Sequence, residues 1–214
     1  MTIRLEKMIP LPMLEQDTGD SEVWEADSLL LEQGKSYVVE APSGRGKTSL
    51  LSVIYGLRTD YRGTVTIDDR DLSTLSMKEW SALRKNKLSF IFQGLELFDE
   101  LTALENIHLK NEQTACHSRD RILEMAGVLG IEQFLHRKAG ILSFGQQQRV
   151  AIIRALCQPF DFLLADECFS HMDRAISLTA YQLIRRECDA RSAGLILTSL
   201  NETDLPHTHT RLKL

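Results

Sequence analysis

The chain has little cysteine or proline, few aromatic residues, no surplus of positive charge and no long apolar run. Its four cysteines, at 116, 157, 168 and 188, form no Cys-x-x-Cys pair and have no histidine at zinc-ligand spacing. That excludes a zinc ribbon and a disulfide scaffold, and predicts reduced, mostly buried thiols. Only 5 Pro and 12 Gly occur among 214 residues, which excludes collagen-like and low-complexity classes. Lys and Arg number 25 against 30 Asp and Glu, a formal net charge of −5, so a broad basic surface for gripping nucleic acid is excluded and any anion must be bound locally. No apolar stretch approaches the roughly 18 residues of a membrane span, and Met1 to Leu14 alternates charged and apolar residues without the apolar core of a signal peptide. If the chain works at a membrane, another polypeptide is expected to supply the membrane part. What is present, 43% apolar and 26% charged residues, suits one globular core carrying a subdomain.

Strand and helix patterns alternate. Ser36 to Glu40 reads as a strand, a Gly-containing loop follows, and Thr48 to Leu57 reads as an apolar helix. Gly63 to Asp68 alternates as a half-buried strand, Ser76 caps a helix running to Asn86, and Leu88 to Phe92 is a short buried strand. Thr102 to about Leu129 is helical with a break near Gln113 to His117, and Gly145 to Leu156 is another helix. Phe162 to Ala165 and Gly194 to Thr198 are buried strands flanking the helix Arg174 to Arg186. This alternation predicts an α/β fold whose mostly parallel sheet is covered on both faces, with a helical subdomain inserted at about 94–140.

Three constellations carry chemistry. Ala41-Pro42-Ser43-Gly44-Arg45-Gly46-Lys47-Thr48 matches the phosphate loop G-x-x-x-x-G-K-[ST] except for Ala41, and sits between a strand and a helix as that loop requires. Gly44 and Gly46 let successive amides turn inward around an anion, Lys47 reaches the β- and γ-phosphates, and Thr48 is a ligand for Mg²⁺. Phe162-Leu163-Leu164-Ala165-Asp166-Glu167 puts two carboxylates at the carboxyl end of an apolar strand, where open parallel sheets bind ligands. Asp166 suits Mg²⁺ and Glu167 suits polarising an attacking water. Gln93, at the end of another buried strand, can contact the metal or the water.

The stretch Leu142-Ser143-Phe144-Gly145-Gln146-Gln147-Gln148-Arg149-Val150-Ala151, followed by Ile153-Arg154-Ala155-Leu156, closely resembles the signature segment of ATP-binding-cassette (ABC) ATPases, L-S-G-G-Q with Q-Q-R-V-x-I-A-R-A-L. The order of phosphate loop, Gln93, signature and Asp166-Glu167 matches over nearly the whole chain. Gly63 to Ile67, Asp71-Leu72-Ser73, Leu83-Arg84 and Leu101 to Ile107 look most like the branch serving lipoprotein release, macrolide export and division-associated exporters. The resemblance implies one cassette over 1–214: a P-loop NTPase core at 1–93 and 141–214 with an N-terminal antiparallel β part, and the helical subdomain. It implies ATP and Mg²⁺ as ligands, with Ser43, Gly44, Arg45, Gly46, Lys47, Thr48 and Ser49 on the nucleotide and Thr48, Gln93 and Asp166 on the metal. Glu167 and Gln93 would serve catalysis. Ser143, Phe144, Gly145 and Gln146 would meet the nucleotide of a second copy in a head-to-tail dimer, and Asp173, in Ser170-His171-Met172-Asp173, would communicate across it. The implied function is an ATPase subunit driving a transmembrane permease from the cytoplasmic face of the membrane. The permease would seat near Leu95, Leu97 and Phe98 and select the substrate.

Several positions depart from the pattern. Leu200 stands where a switch histidine is usual, and His207 and His209, further on, read as surface histidines. Phe144 replaces a glycine. No aromatic ring occurs among Met8, Ile9, Leu11 and Met13, where adenine would stack, and Trp24 reads as core. Leu200, Phe144 and Ala41 motivate a second reading, a nucleotide-dependent dimerisation or regulatory module with slow or absent turnover. A P-loop kinase or DNA-repair ATPase is disfavoured by the signature helix and by the lack of a basic patch.

Overall fold

The computed structural model describes residues 1–15, 19, 21–199 and 209–214. Two sheets form the scaffold. The antiparallel one takes β1 (Thr2–Pro10), β2 (Leu29–Glu32), β4 (Tyr61–Ile67) and β5 (Arg70–Asp71) in the order β2-β1-β4-β5. The other takes β3 (Ser36–Glu40), β6 (Leu88–Ile91), β7 (Phe162–Asp166), β8 (Gly194–Ser199) and β9 (Thr210–Lys213) in the order β6-β7-β8-β3-β9, with each neighbouring pair parallel.

Strand alternation explains how the parallel sheet is covered twice. Along β7, Leu163 and Ala165 join one apolar core while Phe162 and Leu164 join the other, and β8 repeats this with Leu195 and Leu197 against Ile196. The first core is completed by α5 (Phe144–Leu156), α6 (Arg174–Ala190) and the helices α3 (Ala103–Asn111) and α4 (Arg119–Val128). The second is completed by α1 (Lys47–Ile54) and the buried side of the antiparallel sheet. Leu88, Leu163, Leu164 and Ile196 are at most 1% exposed, so the sheet centre is a dry, rigid floor under the strand ends.

The helices begin where their capping residues sit. Ser76, Thr102 and Ser143 each accept a bond from the third helical residue, whose Glu or Gln side chain returns one to the cap, at α2 (Met77–Asn86), α3 and α5. At α2 the Ser76 hydroxyl, the Arg70 guanidinium and the Ser76 amide hold the Glu79 carboxyl down at about 2. Arg154, near the end of α5, is buried and donates to the backbone carbonyls of Leu95 and Glu96, two residues held at left-handed φ of +62° and +51°.

The structure differs from the sequence reading in detail. The signature helix starts at Phe144 rather than Gly145, α6 runs four residues past Arg186, and β9 is an unanticipated fifth strand. His209 is half-buried rather than a surface residue, with its Nε2 paired to the Tyr181 hydroxyl at 2.7 Å. Burial and the charges of Arg185 and Arg211 push its pKa below the usual imidazole range. Leu200 and His207 lie outside the described residues. Cys157, Cys168 and Cys188 are buried free thiols and Cys116 is partly exposed, with burial pushing Cys157 and Cys188 up to about 12.

Candidate nucleotide site

The phosphate loop joins the end of β3 to α1. Gly44 and Gly46 adopt φ of +81° and +92°. At Gly46 a side chain would meet the Trp24 ring at 2.9 Å, so the loop can only lie down on its support if this residue has no Cβ. That support is apolar: Trp24 is 4% exposed and Met13 5%, and the Trp24 indole N–H donates to the Arg45 carbonyl at 3.4 Å. Trp24 is thus a core residue under the loop. Ala41 is buried and keeps negative φ, which explains why it tolerates the missing glycine.

Lys47 is buried to 4% exposure and its ammonium donates to the carbonyls of Ala41 at 2.6 Å and Pro42 at 3.0 Å, with Glu167 Oε1 at 3.2 Å. A buried ammonium needs such partners. The Thr48 hydroxyl donates to Asp166 Oδ2 at 2.7 Å and lies 3.5 Å from Gln93 Oε1. Gln93 Nε2 donates to Glu167 Oε2 at 3.2 Å. Loop, β6 end and β7 end therefore meet in one net containing Lys47, Thr48, Gln93, Asp166 and Glu167. Glu167 holds φ at +45°, costly for a residue with a Cβ and typical of strain kept at functional positions.

Sequence reasoning missed Thr198. It is 1% exposed, pairs with Asp166 across β7 and β8, donates to Asp166 Oδ1 at 2.6 Å and accepts the Glu167 amide at 3.1 Å. It ties the Asp166 carboxylate and the Glu167 backbone together. The available signal was a hydroxyl interrupting the apolar run Leu195-Ile196-Leu197 beside the acidic strand end. Ser49, by contrast, has its hydroxyl bonded by Arg58 at 2.7 Å.

Hard oxygens from Thr48, Gln93 and Asp166 converge, which suits Mg²⁺ rather than a softer metal. Among the described residues no three His, Cys, Asp or Glu side chains form a cation cage. A magnesium ion here would be shared with phosphate oxygens, as such ions commonly are.

The signature residues lie apart in the chain at the start of α5. Ser143 and Phe144 are exposed, and Gln146 returns its side chain to the Ser143 amide at 2.9 Å. Phe144 packs edge-on against His171, with ring centres 4.3 Å apart. Asp173 caps α6, accepting from the Ile176 amide at 2.9 Å.

Comparison with known proteins agrees with this arrangement. The family described as "ABC transporter" matches residues 25–170. The thiamine import ATP-binding protein ThiQ of Escherichia coli O6:K15:H31 is 33% identical over 187 residues, covering 86% of this chain and 78% of that protein. Two solved structures align closely: the dimeric ABC transporter cassette MJ0796, with TM-score 0.81, 26% identity and coverage of 99% and 94%, and the same cassette in a post-hydrolysis state bound to ADP and Pi, with TM-score 0.75, 27% identity and coverage of 93% and 88%. No helix among the described residues is long and apolar enough to cross a membrane. With the phosphate loop, the acidic strand end and the signature helix all in family order on the family's fold, this chain belongs to the ABC transporter family as an ATP-binding, ATP-hydrolysing subunit.

Proposed function

We infer that the net joining Lys47, Thr48, Gln93, Asp166 and Glu167 is the hydrolytic centre, and that its work is done in a dimer docked on the cytoplasmic face of a membrane through the permease. Amides of Ser43 to Lys47 and the Lys47 ammonium would hold the β- and γ-phosphates, aided by the positive end of α1. Thr48, Asp166 and Gln93 would hold Mg²⁺, which when bound neutralises phosphate charge. Glu167, fixed by Thr198 and Gln93, orients the attacking water. The exposed start of α5, Ser143 to Gln146, serves the nucleotide of the second copy. One cassette spans 1–214, with the helices of 94–140 as its insert. The observation that carries this reading is the single hydrogen-bonded net at the carboxyl ends of parallel strands.

The permease contact is assigned to the loop after Gln93. There Leu95 is 3% exposed and Phe98 59%, so Phe98 is the apolar anchor and Leu95 belongs to the core. Phe98→Asp is expected to abolish co-purification with the permease while nucleotide affinity stays at the wild-type value; retained co-purification would remove this surface from consideration.

Base recognition should be weak. Met8, Ile9 and Met13 are at most 5% exposed, leaving Leu11, at 48%, as the accessible side chain among those four upstream residues. A stacked ring contributes about 1–3 kcal/mol per base, a contribution an aliphatic side chain does not make in full. Titrations are expected to give comparable dissociation constants for ATP and GTP, and tight ATP-selective binding would contradict this.

A further inference from the structure

Two bulky departures from the signature pattern touch each other. Phe144 stands where L-S-G-G-Q has glycine, and His171 lies in Ser170-His171-Met172-Asp173, a stretch that resembles the family's S-A-L-D segment, at the place of its alanine; their rings pack edge-on at 4.3 Å and 62°, on side chains that are both exposed. The contact is built from below. Gly145 lies so close to the His171 carbonyl that a Cβ there would sit 2.8 Å from it. Gln148, 1% exposed, accepts the His171 amide on Oε1 at 3.3 Å and donates from Nε2 to the Ser170 hydroxyl at 3.3 Å. Ser170 Oγ is in turn 2.8 Å from His171 Nδ1.

Ser170 Oγ accepts from Gln148 Nε2 and keeps one hydrogen that it can donate to Nδ1; in that arrangement a neutral ring carries its proton on Nε2. An imidazole held by backbone, amide and aromatic edge thus offers an N–H donor beside the start of α5. Such preorganised donors stabilise developing phosphate charge because they need no reorganisation during reaction.

We propose that His171 is a catalytic residue acting in trans: its Nε2–H donates to the γ-phosphate of the nucleotide on the second copy, with Phe144 as the positioning residue that holds the ring there. The proposal rests on the reading that the start of α5 faces that nucleotide. It requires no covalent step, only a hydrogen bond that strengthens as charge accumulates on phosphate oxygens.

Steady-state ATPase assays on His171→Ala should show kcat lower by about tenfold or more with KM little changed, and His171→Gln, which restores a donor, should recover part of it. Phe144→Ala should lower kcat less, and none of the three should move the thermal midpoint appreciably, since both side chains are exposed. The assignment to the opposite copy is tested by mixing His171→Ala with Glu167→Gln protein. Each homodimer is impaired at both sites, whereas a mixed dimer holds one site with Glu167 and a trans His171, so activity should rise on mixing. A parallel mixture of Ser143→Arg with Glu167→Gln tests the underlying reading. Recovery there but not with His171→Ala overturns the histidine alone; recovery in neither overturns the facing arrangement. Wild-type kcat in His171→Ala overturns the proposal outright.

Discussion

Glu167→Gln protein should bind ATP as tightly as the wild type, accumulate as an ATP-bound dimer, and hydrolyse ATP about a hundredfold more slowly or worse. The reason lies in what the substitution keeps and removes. Glutamine retains the volume of Glu167 and its single carbonyl oxygen can still accept from Lys47 or from Gln93, which Glu167 serves with separate oxygens, while the bond between Thr48 and Asp166 does not involve this residue and survives. The variant loses the negative charge that faces the Lys47 ammonium at 3.2 Å and would polarise water. General-base assistance is worth about 10²–10⁴ in rate, which sets the expected loss. Size-exclusion chromatography with ATP and a phosphate-release assay measure the two halves of the result. A wild type no faster than the variant would favour the module that dimerises on nucleotide without turning it over.

The second large effect concerns stability. Glu187 in α6 is 4% exposed and accepts bonds from Arg121 of α4 and from Arg191, with His117 Nε2 3.4 Å away. Arg191 also reaches the Leu156 carbonyl at 3.3 Å and lies over the Phe160 ring at 4.7 Å. One carboxylate therefore ties α4, the end of α5 and α6 together. Glu187→Ala leaves Arg191 without its carboxylate and Arg121 with only Glu124, at 2.6 Å, a loss of about 3 kcal/mol for a largely buried pair broken on one side. For a chain of this length that lowers the thermal midpoint by about 10 °C.

The same carboxylate sets an acid limit. Burial alone raises its pKa, but hydrogen bonds from His117 and Arg121 and the charge and bond of Arg191 outweigh burial and hold it well below the usual carboxylate range. With the folded value below the unfolded one, the stabilisation is complete above the unfolded pKa of about 4.3 and is lost as pH falls through the folded value. Wild type should lose more of its thermal midpoint between pH 7 and pH 3 than Glu187→Gln does. Equal losses in the two proteins would remove Glu187 as the cause.

Much of this was legible in residue order because local chemistry and fold agree. The phosphate loop announces itself by composition, and Ser76 predicts its helix start since a hydroxyl accepts an amide without help from the rest of the chain. Features requiring distant segments were less visible. Strand β9 buries one apolar residue, Leu212, and pairs with β3 from far along the chain. Thr198 acquires its role only when β8 lies beside β7, and the Phe144 and His171 rings meet only after α5 and the loop beyond Glu167 have packed. Leu95 looked equivalent to Phe98 in an irregular segment without periodicity. The backbone there turns through two left-handed residues, which sends one side chain inward and leaves the other outside.

Arg154 bonds to that same turn from the far end of the helix whose first residue is Phe144. The helix has 13 residues, so its ends are about 20 Å apart, and its middle is clamped in the apolar core. A clamped helix of that length does not bend appreciably under a load applied at one end. A load on the segment around Phe98 would therefore reach α5 through the two carbonyl bonds of Arg154, and could shift Ser143 only by moving the whole helix as one body.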